Sequence, residues 1–398
     1  MRPKVLQLIS SFHQGGSERQ ALQLTRLLKA SDHFDVHLAC LDKAGALLGF
    51  AERLGLAEIP EYRLTSFYDR NALMQVRRFA LHLQTRGIDI IQTHDFYSNI
   101  FGMAAARLAG VRVRIAARRE TTGWRTLAQR IVERQAYRFA HAIVANSEAV
   151  RRQLIAEGVA DRQVVTVHNG IDLDRVRVPE AFNRTAALTS FGLPTAPELR
   201  FVTLVANLHH AVKDHPTFLR AARRVRAVCP AARFVIAGEG KLTDEMKVLA
   251  AQLGIVDETF FIGRAERVAE LLAAADVCVL SSQAEGFANS ILEYMAAARP
   301  VVVTDVGGAR EAVVDGESGY VVPAGADEAM AAHILALLDD AEQARAMGER
   351  GRQIVEQRFS CAAQLAATTA LYERLLAANL RRVARPVDRV QREAAKLN

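Results

Sequence analysis

The sequence alternates, twice over, between short apolar segments with the length of buried strands and longer segments with the periodicity of amphipathic helices. The first series runs from residues 4–11 to residues 164–167, and the second runs from residues 201–205 to residues 319–322. Strands and helices that alternate in this way form parallel sheets with helices on both faces. We therefore expect an α/β protein with two doubly wound domains that face each other across a cleft.

A break between the two series marks the expected domain boundary. Residues 172–198 contain three prolines and lose the alternating pattern, which is typical of a linker. We expect an N-terminal domain over residues 1–172, a linker over 173–198, a second domain over 199–360, and a C-terminal helix with a basic tail over 361–398. A chain of 398 residues, half of them hydrophobic, is long enough to bury cores of this size.

The cysteines and the termini indicate a cytoplasmic protein. The four cysteines are far apart in sequence and form no C-x-x-C pair, so we expect reduced thiols with neither a disulfide framework nor a metal site. The sequence contains no apolar run of about 18 residues that would cross a membrane. The N-terminus enters a strand without the small-residue cleavage site of a signal peptide.

Positive charge is concentrated in the first half of the chain. Residues 1–171 carry 24 Lys and Arg against 15 Asp and Glu, whereas residues 172–380 carry 21 against 27. This asymmetry suits nucleic acid, an anionic membrane surface or an acidic substrate, although a solvated surface rich in arginine would give the same count. The predicted basic helix over residues 124–141 could lie on anionic lipid. A helix packed by its apolar side, with a solvated basic face, is the more common arrangement.

Two glutamates, Glu285 and Glu293, lie on either side of a predicted helix start within Ser281–Pro300. Ligands of parallel α/β sheets bind at the carboxyl ends of strands, so we expect Glu285 and Gly286 on a binding rim. The unpaired N–H groups at the helix start suit a phosphate group. Glu293 has two interpretations: it contacts the ligand, or it forms a capping box with Ser290 as the N-cap.

Three other features lie at predicted strand ends. Gly15 and Gly16 follow the first strand but lack the G-x-G-x-x-G spacing of dinucleotide-binding proteins. His94 ends a buried strand, where it is either reactive or merely hydrogen-bonded across the loop. Lys213 follows the first strand of the second series, where it either binds phosphate as a point charge or is an ordinary surface lysine.

Taken together and in this order, these motifs resemble those of the retaining glycosyltransferases of family 4, which have the GT-B fold. The strongest match is EGFANSILE at residues 285–293, which is similar to the E-x7-E motif of that family. The resemblance extends to the Gly-Gly turn, to His94, to HNGID at 168–172 and to VKDH at 212–215, and it covers nearly the whole chain. It implies two Rossmann-like domains and a C-terminal helix that packs back on the first of them.

The resemblance also implies a role for each matching residue. Glu285 would bind hydroxyl groups of the donor sugar, Glu293 would bind the nucleoside ribose, and Lys213 would neutralise the departing diphosphate. His94 would lie beside the anomeric carbon. The other donor-binding residues would contact the sugar, the diphosphate or the base: Gly15, Gly16, Asn207, His209, Gly263, Arg264, Gly286, Phe287, Ala288, Asn289 and Ser290.

Two positions depart from the family pattern. Asn207 stands where the family usually has an arginine, so stabilisation of the leaving group must draw on His209, His210, Lys213 and the helix N-terminus. Ala298 replaces a common glycine before Arg299-Pro300, a change from which we expect little effect.

The implied activity is retaining transfer of a hexosyl or N-acetylhexosaminyl group from a nucleotide sugar of UDP or GDP type, without a metal or another cofactor. The acceptor would be a saccharide or a lipid-linked precursor of a cell-surface polysaccharide, reached by a cytoplasmic protein at the inner face of the membrane. Alternatives are a nucleotide-sugar epimerase of the same fold and a sugar-nucleotide-binding protein with weakened catalysis. A nicotinamide-dependent oxidoreductase lacks its glycine fingerprint, and a nucleic-acid-binding protein has only charge in its favour.

Overall fold

The computed structural model describes residues 2–56, 58–121 and 125–394, with side chains described up to residue 379. The chain divides into two compact units. The first consists of Met1–His168 together with Gln364–Asn398, and the second consists of Asn169–Ala363. Each unit contains one six-stranded parallel sheet, which confirms the prediction of two doubly wound α/β domains.

The sheet of the first unit has the strand order β2-β1-β3-β4-β5-β6, with every neighbouring pair parallel. Its central strands are apolar and rich in β-branched residues, as expected for strands that helices cover on both faces. The strands are β1 (Lys4–Ile9), β2 (Asp35–Cys40), β3 (Ile90–Thr93), β4 (Val113–Arg118), β5 (Ala142–Ala145) and β6 (Val164–Thr166).

Seven helices accompany this sheet in the part of the chain that is described. They are α1 (Gly16–Ala30), α2 (Leu48–Arg53), α3 (Arg70–Arg86), α4 (Phe96–Leu108), α5 (Leu127–Tyr137), α6 (Glu148–Ala156) and the C-terminal helix, α16 (Cys361–Ala394). Helix α16 places Leu371 and Tyr372 in the same buried cluster as Val5, Leu24 and Phe34. The C-terminal helix is therefore part of the core of the first unit.

The second unit repeats the architecture with the strand order β12-β11-β10-β7-β8-β9. Its strands are β7 (Arg200–Val205), β8 (Ala232–Ala237), β9 (Thr259–Gly263), β10 (Val277–Leu280), β11 (Val301–Thr304) and β12 (Tyr320–Val322). Its helices are α7 (Leu173–Val176), α8 (Arg184–Ser190), α9 (His215–Val228), α10 (Thr243–Gln252), α11 (Val268–Ala274), α12 (Asn289–Ala296), α13 (Ala309–Ala312), α14 (Asp327–Asp339) and α15 (Ala341–Arg358).

The segment 173–198, which the prolines led us to interpret as a linker, is instead part of the second unit. It contains α7 and α8, and its Leu188 and Leu193 are buried against Phe201 of β7. Pro179 lies between these short helices, and Pro194 and Pro197 lie between α8 and β7. Apolar side chains placed between the prolines supply enough buried contact to hold the segment on the sheet.

Several helix boundaries also differ from the sequence prediction, as is common where caps decide them. Helix α1 begins at Gly16 with Gly15 as N-cap, and Ser17 is inside the helix. Helix α4 begins at Phe96, where Asp95 and Ser98 form a capping box. The basic helix predicted over 124–141 is α5, and Trp124 lies outside the described residues. An isolated parallel bridge joins Glu61 to Cys40 at the end of β2.

Ala298 has a larger structural consequence than the sequence suggested. Its φ angle is +53°, in the left-handed region that costs a residue with a Cβ about 1–2 kcal/mol. The turn cannot easily relax, because α15 packs against it so closely that a Cβ at Gly348 would lie 2.2 Å from the Ala298 carbonyl oxygen. The replacement of the usual glycine therefore leaves a strained turn between α12 and β11.

We expect Ala298→Gly to raise the free energy of unfolding by about 0.5–1 kcal/mol. The relief of left-handed strain exceeds the entropy that a glycine adds to the unfolded chain. Chemical denaturation measures this change, and the neighbouring Ala297→Gly is the matched control. Ala297 has a φ of −80°, so the control gains no relief and should be destabilised. Equal destabilisation of both variants would contradict the strain at residue 298.

Candidate functional site

In the second unit, three neighbouring strands end at the same edge of the sheet and bring the predicted donor-binding residues to it. Strands β11, β10 and β7 are adjacent and parallel, so the segments that follow them lie side by side. The Ser281 hydroxyl, after β10, donates to the Lys213 carbonyl at 2.9 Å. The Thr304 hydroxyl, at the end of β11, donates to the Ser282 carbonyl at 2.6 Å. These buried hydrogen bonds fix the three loops to one another.

Glu285 and Lys213 form an ion pair at this edge. The Lys213 Nζ lies 2.5 Å from Glu285 Oε1, and the Ser282 hydroxyl donates to the same oxygen at 2.7 Å. The two charged side chains are 21% and 14% exposed, so the pair is largely shielded but still reachable from solvent. Sequence spacing could not show that these residues, 72 positions apart, are in direct contact.

The turn after β11 packs against the backbone of the loop that contains Glu285. A Cβ at Gly307 would lie 2.1 Å from the Glu285 carbonyl oxygen, so only glycine permits this approach. The Gly308 N–H donates to the Gly286 carbonyl at 2.8 Å. The Gly-Gly sequence after β11 thus has a packing function: it holds the backbone of residues 285–286 in place.

Helix α12 presents an N-terminus without a side-chain cap. Its N-cap is Ala288, and Ser290 lies one position inside the helix, where its hydroxyl bonds to the side chain of Tyr294. The capping box of Ser290 and Glu293 is therefore wrong. Glu293 lies further along the helix and is only 8% exposed. The N-cap makes no side-chain hydrogen bond, and the N-terminus of α12 is the positive end of the helix dipole.

Asn169 is a positioning residue that sequence reasoning did not single out. It is buried, and its side-chain amide donates to the Phe287 carbonyl at 3.0 Å and to Asn289 Oδ1 at 2.9 Å. It therefore ties the start of the second unit to the loop that enters α12. The Asn-Gly pair in HNGID was the available signal, but its partner 120 residues away was not predictable.

The remaining predicted donor-binding residues are less enclosed. Asn207, His209 and Arg264 are exposed, and Gly263 ends β9 with its carbonyl accepting the Gly238 N–H at 2.8 Å. Gly286, Phe287 and Ala288 are buried in the turn before α12, and the Phe287 ring packs on Phe359. The structure thus brings Glu285, Lys213 and residues 286–290 together. It places Asn207, His209 and Arg264 on the open surface after β7 and β9.

In the first unit, His94 is held by side chains from two other strands. It is 1% exposed; its Nε2 lies 2.6 Å from Gln7 Oε1, and its Nδ1 lies 3.3 Å from the Arg119 guanidinium. Burial, reinforced by the positive charge of Arg119, lowers the pKa of His94 well below its ordinary value. The imidazole is therefore neutral, and both of its nitrogens face protein groups. That His94 lies beside the anomeric carbon of the donor stays a prediction.

Arg119 lies at the centre of a charged group that the sequence analysis did not identify. Burial lowers its pKa to about 10, partly offset by the negative charge of Glu18. Burial also raises the pKa of Glu18, whose carboxylate faces Asp95 as well as Arg119. Glu18 follows the Gly15-Gly16 turn, and Asp95 follows β3, so the carboxyl ends of β1, β3 and β4 meet here. An arginine directly after a buried strand was the signal for this cluster.

Within the described residues, no group of three or more His, Cys, Asp or Glu side chains is arranged to hold a metal ion. One Asp-x-Asp sequence, Asp172-Leu-Asp174, is present at the start of α7, and the exposed Asp174 pairs with Arg177 at 2.9 Å. Among the described helices, none is both long and apolar enough to span a bilayer. Of the four free thiols, Cys40 and Cys278 are buried.

We expect Lys213→Met to lower the free energy of unfolding by about 1–2 kcal/mol, because a mostly buried Glu285 carboxylate loses its cation. Glu285→Gln in the same background should restore part of that loss, since no uncompensated charge remains. Chemical denaturation of the two variants measures the coupling. The matched control is Lys247→Met, where the lysine is exposed and its loss should change stability by less than about 0.5 kcal/mol. Equal losses at residues 213 and 247 would show that the ion pair contributes nothing.

Sequence comparison identifies relatives along almost the entire chain. A family model described as Glycosyl transferases group 1 matches residues 189–354, and one described as Glycosyltransferase Family 4 matches residues 14–175. A D-inositol 3-phosphate glycosyltransferase of Streptomyces avermitilis is 30% identical over 319 residues, or 74% of this chain and 67% of that protein. An N-acetyl-alpha-D-glucosaminyl L-malate synthase of Bacillus anthracis is 34% identical over 154 residues. That match covers 36% of this chain and only 40% of the relative's length.

Structural comparison supports the same assignment at the level of the fold. The crystal structure of Alr3699/HepE from Anabaena in complex with UDP has a TM-score of 0.82 to this chain. The two share 19% sequence identity, and the match covers 93% of this chain and 99% of that one. With both family models, the long match to a glycosyltransferase and two parallel α/β sheets, the chain belongs to the family-4 glycosyltransferases of the GT-B fold.

Proposed function

We propose that this protein is a retaining glycosyltransferase that moves a hexosyl or N-acetylhexosaminyl group from a UDP- or GDP-type nucleotide sugar to an acceptor hydroxyl. The observation that carries this proposal is the Glu285–Lys213 ion pair beside the uncapped N-terminus of α12. The Glu285 carboxylate can accept hydrogen bonds from the hydroxyl groups of a sugar. Lys213 and the N-terminus of α12 supply positive potential for the diphosphate.

The proposed chemistry begins with an exchange of partners at the ion pair. Lys213 turns from Glu285 to the donor diphosphate, and Glu285 then accepts hydrogen bonds from sugar hydroxyl groups. Charge that develops on the departing diphosphate is stabilised by Lys213 and by the first N–H groups of α12. Glu293, which retains a small exposed surface, binds the ribose hydroxyls. Because protein groups supply this positive charge, the proposed transfer uses neither a metal nor another cofactor.

Retention follows from attack on the face of the sugar that the diphosphate leaves. In this proposal a diphosphate oxygen takes the proton of the acceptor hydroxyl as the new glycosidic bond forms. The His94 ring is a weak base, because burial holds its pKa well below its ordinary value and both nitrogens face protein groups, which favours the donor's own oxygen as the base. The uncharged Asn207 contributes less to the leaving group than an arginine would, so Lys213 and α12 carry more of the stabilisation.

The names of similar proteins support the proposed donor class. Alr3699/HepE has also been solved with UDP-glucose, with a TM-score of 0.81 to this chain. The Bacillus anthracis relative is named N-acetyl-alpha-D-glucosaminyl L-malate synthase. We therefore place UDP-hexoses and UDP-N-acetylhexosamines first among the donors to be tested. The proposed acceptor is a saccharide or lipid-linked precursor of a cell-surface polysaccharide.

The test measures transfer and donor cleavage with a panel of UDP and GDP sugars, after thermal-shift screening for binding. We expect an α-linked donor to yield an α-linked product, as judged by its anomeric NMR signal. Glu285→Gln should reduce kcat/KM at least about 100-fold while leaving the fold intact, since the sugar loses its charged acceptor. The exposed Glu317→Gln is the matched control and should be fully active.

Other outcomes would support the rival functions. Conversion of the donor to its epimer without any acceptor would indicate an epimerase. Tight binding without transfer or hydrolysis would indicate a binding protein. Full activity of Glu285→Gln would show that the assigned site is not the site of reaction.

A specific surface supports peripheral contact of the first unit with a membrane. Residues 70–138 contain 13 arginines and four acidic residues. Helices α3, α4 and α5 lie side by side in this region and leave large apolar side chains 50–70% exposed: Leu73, Met74, Leu81, Tyr97, Leu127 and Ile131. The basic helix α5 was expected to pack its apolar side, but Leu127 and Ile131 instead face solvent. Apolar side chains among arginines suit the interface of an anionic bilayer.

We expect the protein to sediment with vesicles containing phosphatidylglycerol and to be released by salt, because arginines supply much of the attraction. Leu127→Ser combined with Ile131→Ser should weaken binding about tenfold or more, since two side chains no longer enter the interface. Val248→Ser combined with Val256→Ser, at exposed apolar positions of the second unit, is the matched control. Unchanged sedimentation of the α5 variant would contradict this surface.

A further inference from the structure

A chain of buried hydrogen bonds links the C-terminal helix to His94. The Tyr372 hydroxyl of α16 donates to Gln92 Oε1 of β3 at 2.5 Å and accepts from Gln7 Nε2 of β1 at 3.0 Å. The other end of the Gln7 amide, Oε1, faces His94 Nε2 at 2.6 Å. Tyr372, Gln7, Gln92 and His94 are each at most 2% exposed, so water does not compete for these bonds.

The directions of these bonds determine which imidazole nitrogen carries the proton. A guanidinium has only donors, so the Nδ1 atom that faces Arg119 must offer a lone pair. The proton of the neutral ring is therefore on Nε2 and requires an acceptor, which Gln7 Oε1 supplies. If the Gln7 amide were rotated by half a turn, its NH2 group would face the Nε2 proton. Tyr372 prevents that rotation, because its hydroxyl accepts from the Gln7 NH2 group while donating to Gln92.

We propose that Gln7 and Tyr372 are positioning residues for His94, which together hold its ring in the Nε2–H tautomer with the Nδ1 lone pair directed at Arg119. Their effect on the reaction rests on the function proposed above, whereas their effect on the ring does not. The C-terminal helix thereby contributes to the chemistry of the N-terminal unit through one hydroxyl group. None of these residues apart from His94 was indicated by the motifs.

The consequence of this arrangement lies at the carboxyl edge of the first sheet. With its ring fixed, His94 keeps Arg119 at a defined position beside Glu18 and Asp95, where the ends of three strands meet. A mobile ring would release the guanidinium from one of its partners. We therefore expect loss of the positioning bonds to impair the catalytic step, while the donor-binding residues of the second unit are untouched.

The first measurement is NMR of the full-length protein labelled with 15N-histidine, without substrate. We expect one ring resonance with the Nε2–H pattern and a strongly downfield proton, which His94→Asn removes and thereby assigns. Gln7→Leu should eliminate the downfield shift, and Tyr372→Phe should broaden it or move it upfield. Tyr62→Phe changes another buried tyrosine of the first unit, which lies in a different hydrophobic cluster from Tyr372, and should leave the resonance unchanged.

The second measurement is steady-state kinetics with the donor that the wild-type protein uses. Tyr372→Phe should lower kcat about tenfold with the donor KM unchanged, and Tyr62→Phe should alter neither. An Nδ1–H pattern in the wild-type protein, or a resonance and kcat that survive both Gln7→Leu and Tyr372→Phe, overturns the proposal. If the wild-type protein transfers no sugar, the proposed function fails, and the resonance alone decides whether Gln7 and Tyr372 fix the ring.

Discussion

The functional chemistry of this chain depends on one constraint: a buried parallel strand can place polar groups only where it ends. Within β10 every side chain is buried, and the first polar residues, Ser281 and Ser282, come directly after it. Because β7, β10 and β11 are neighbours, the residues after them are collected at one edge. The ion pair of Lys213 and Glu285 is a direct product of that strand order.

In the second unit, the proposed diphosphate site is held in place largely by contacts to the backbone. The N-terminus of α12 has no side-chain cap, and the close approach of Gly307 and the bonds from Asn169 hold the preceding loop in place. Such a site needs no reorganisation when charge develops on a ligand, which is the condition for effective electrostatic stabilisation. It also provides a physical reason why an uncharged residue is tolerated at Asn207. Part of the positive potential is built into the fold.

The first unit uses a different device, a buried polar network within an apolar core. Gln7 and Gln92 lie on adjacent strands β1 and β3, and Tyr372 satisfies both from α16. A partly satisfied network in such a place would be costly, so each member constrains the others. The network therefore gives the C-terminal helix a specific docking position as well as an apolar one. Loss of the Tyr372 hydroxyl would be energetically costly, because the buried side-chain amides of Gln7 and Gln92 would each lose a hydrogen-bond partner.

The sequence by itself determined the two parallel α/β sheets and the family, and it predicted a site at Glu285, Lys213 and residues 286–290. Strand periodicity and contiguous motifs are local properties of the sequence, so they can be recognised without knowledge of the tertiary contacts. Only the tertiary structure decided that 173–198 is folded into the second unit, that Ser290 is not a cap, and that Ala298 is strained. It also decided that His94 is enclosed by Gln7 and Arg119, because these partners come from separate strands and meet only when the sheet forms.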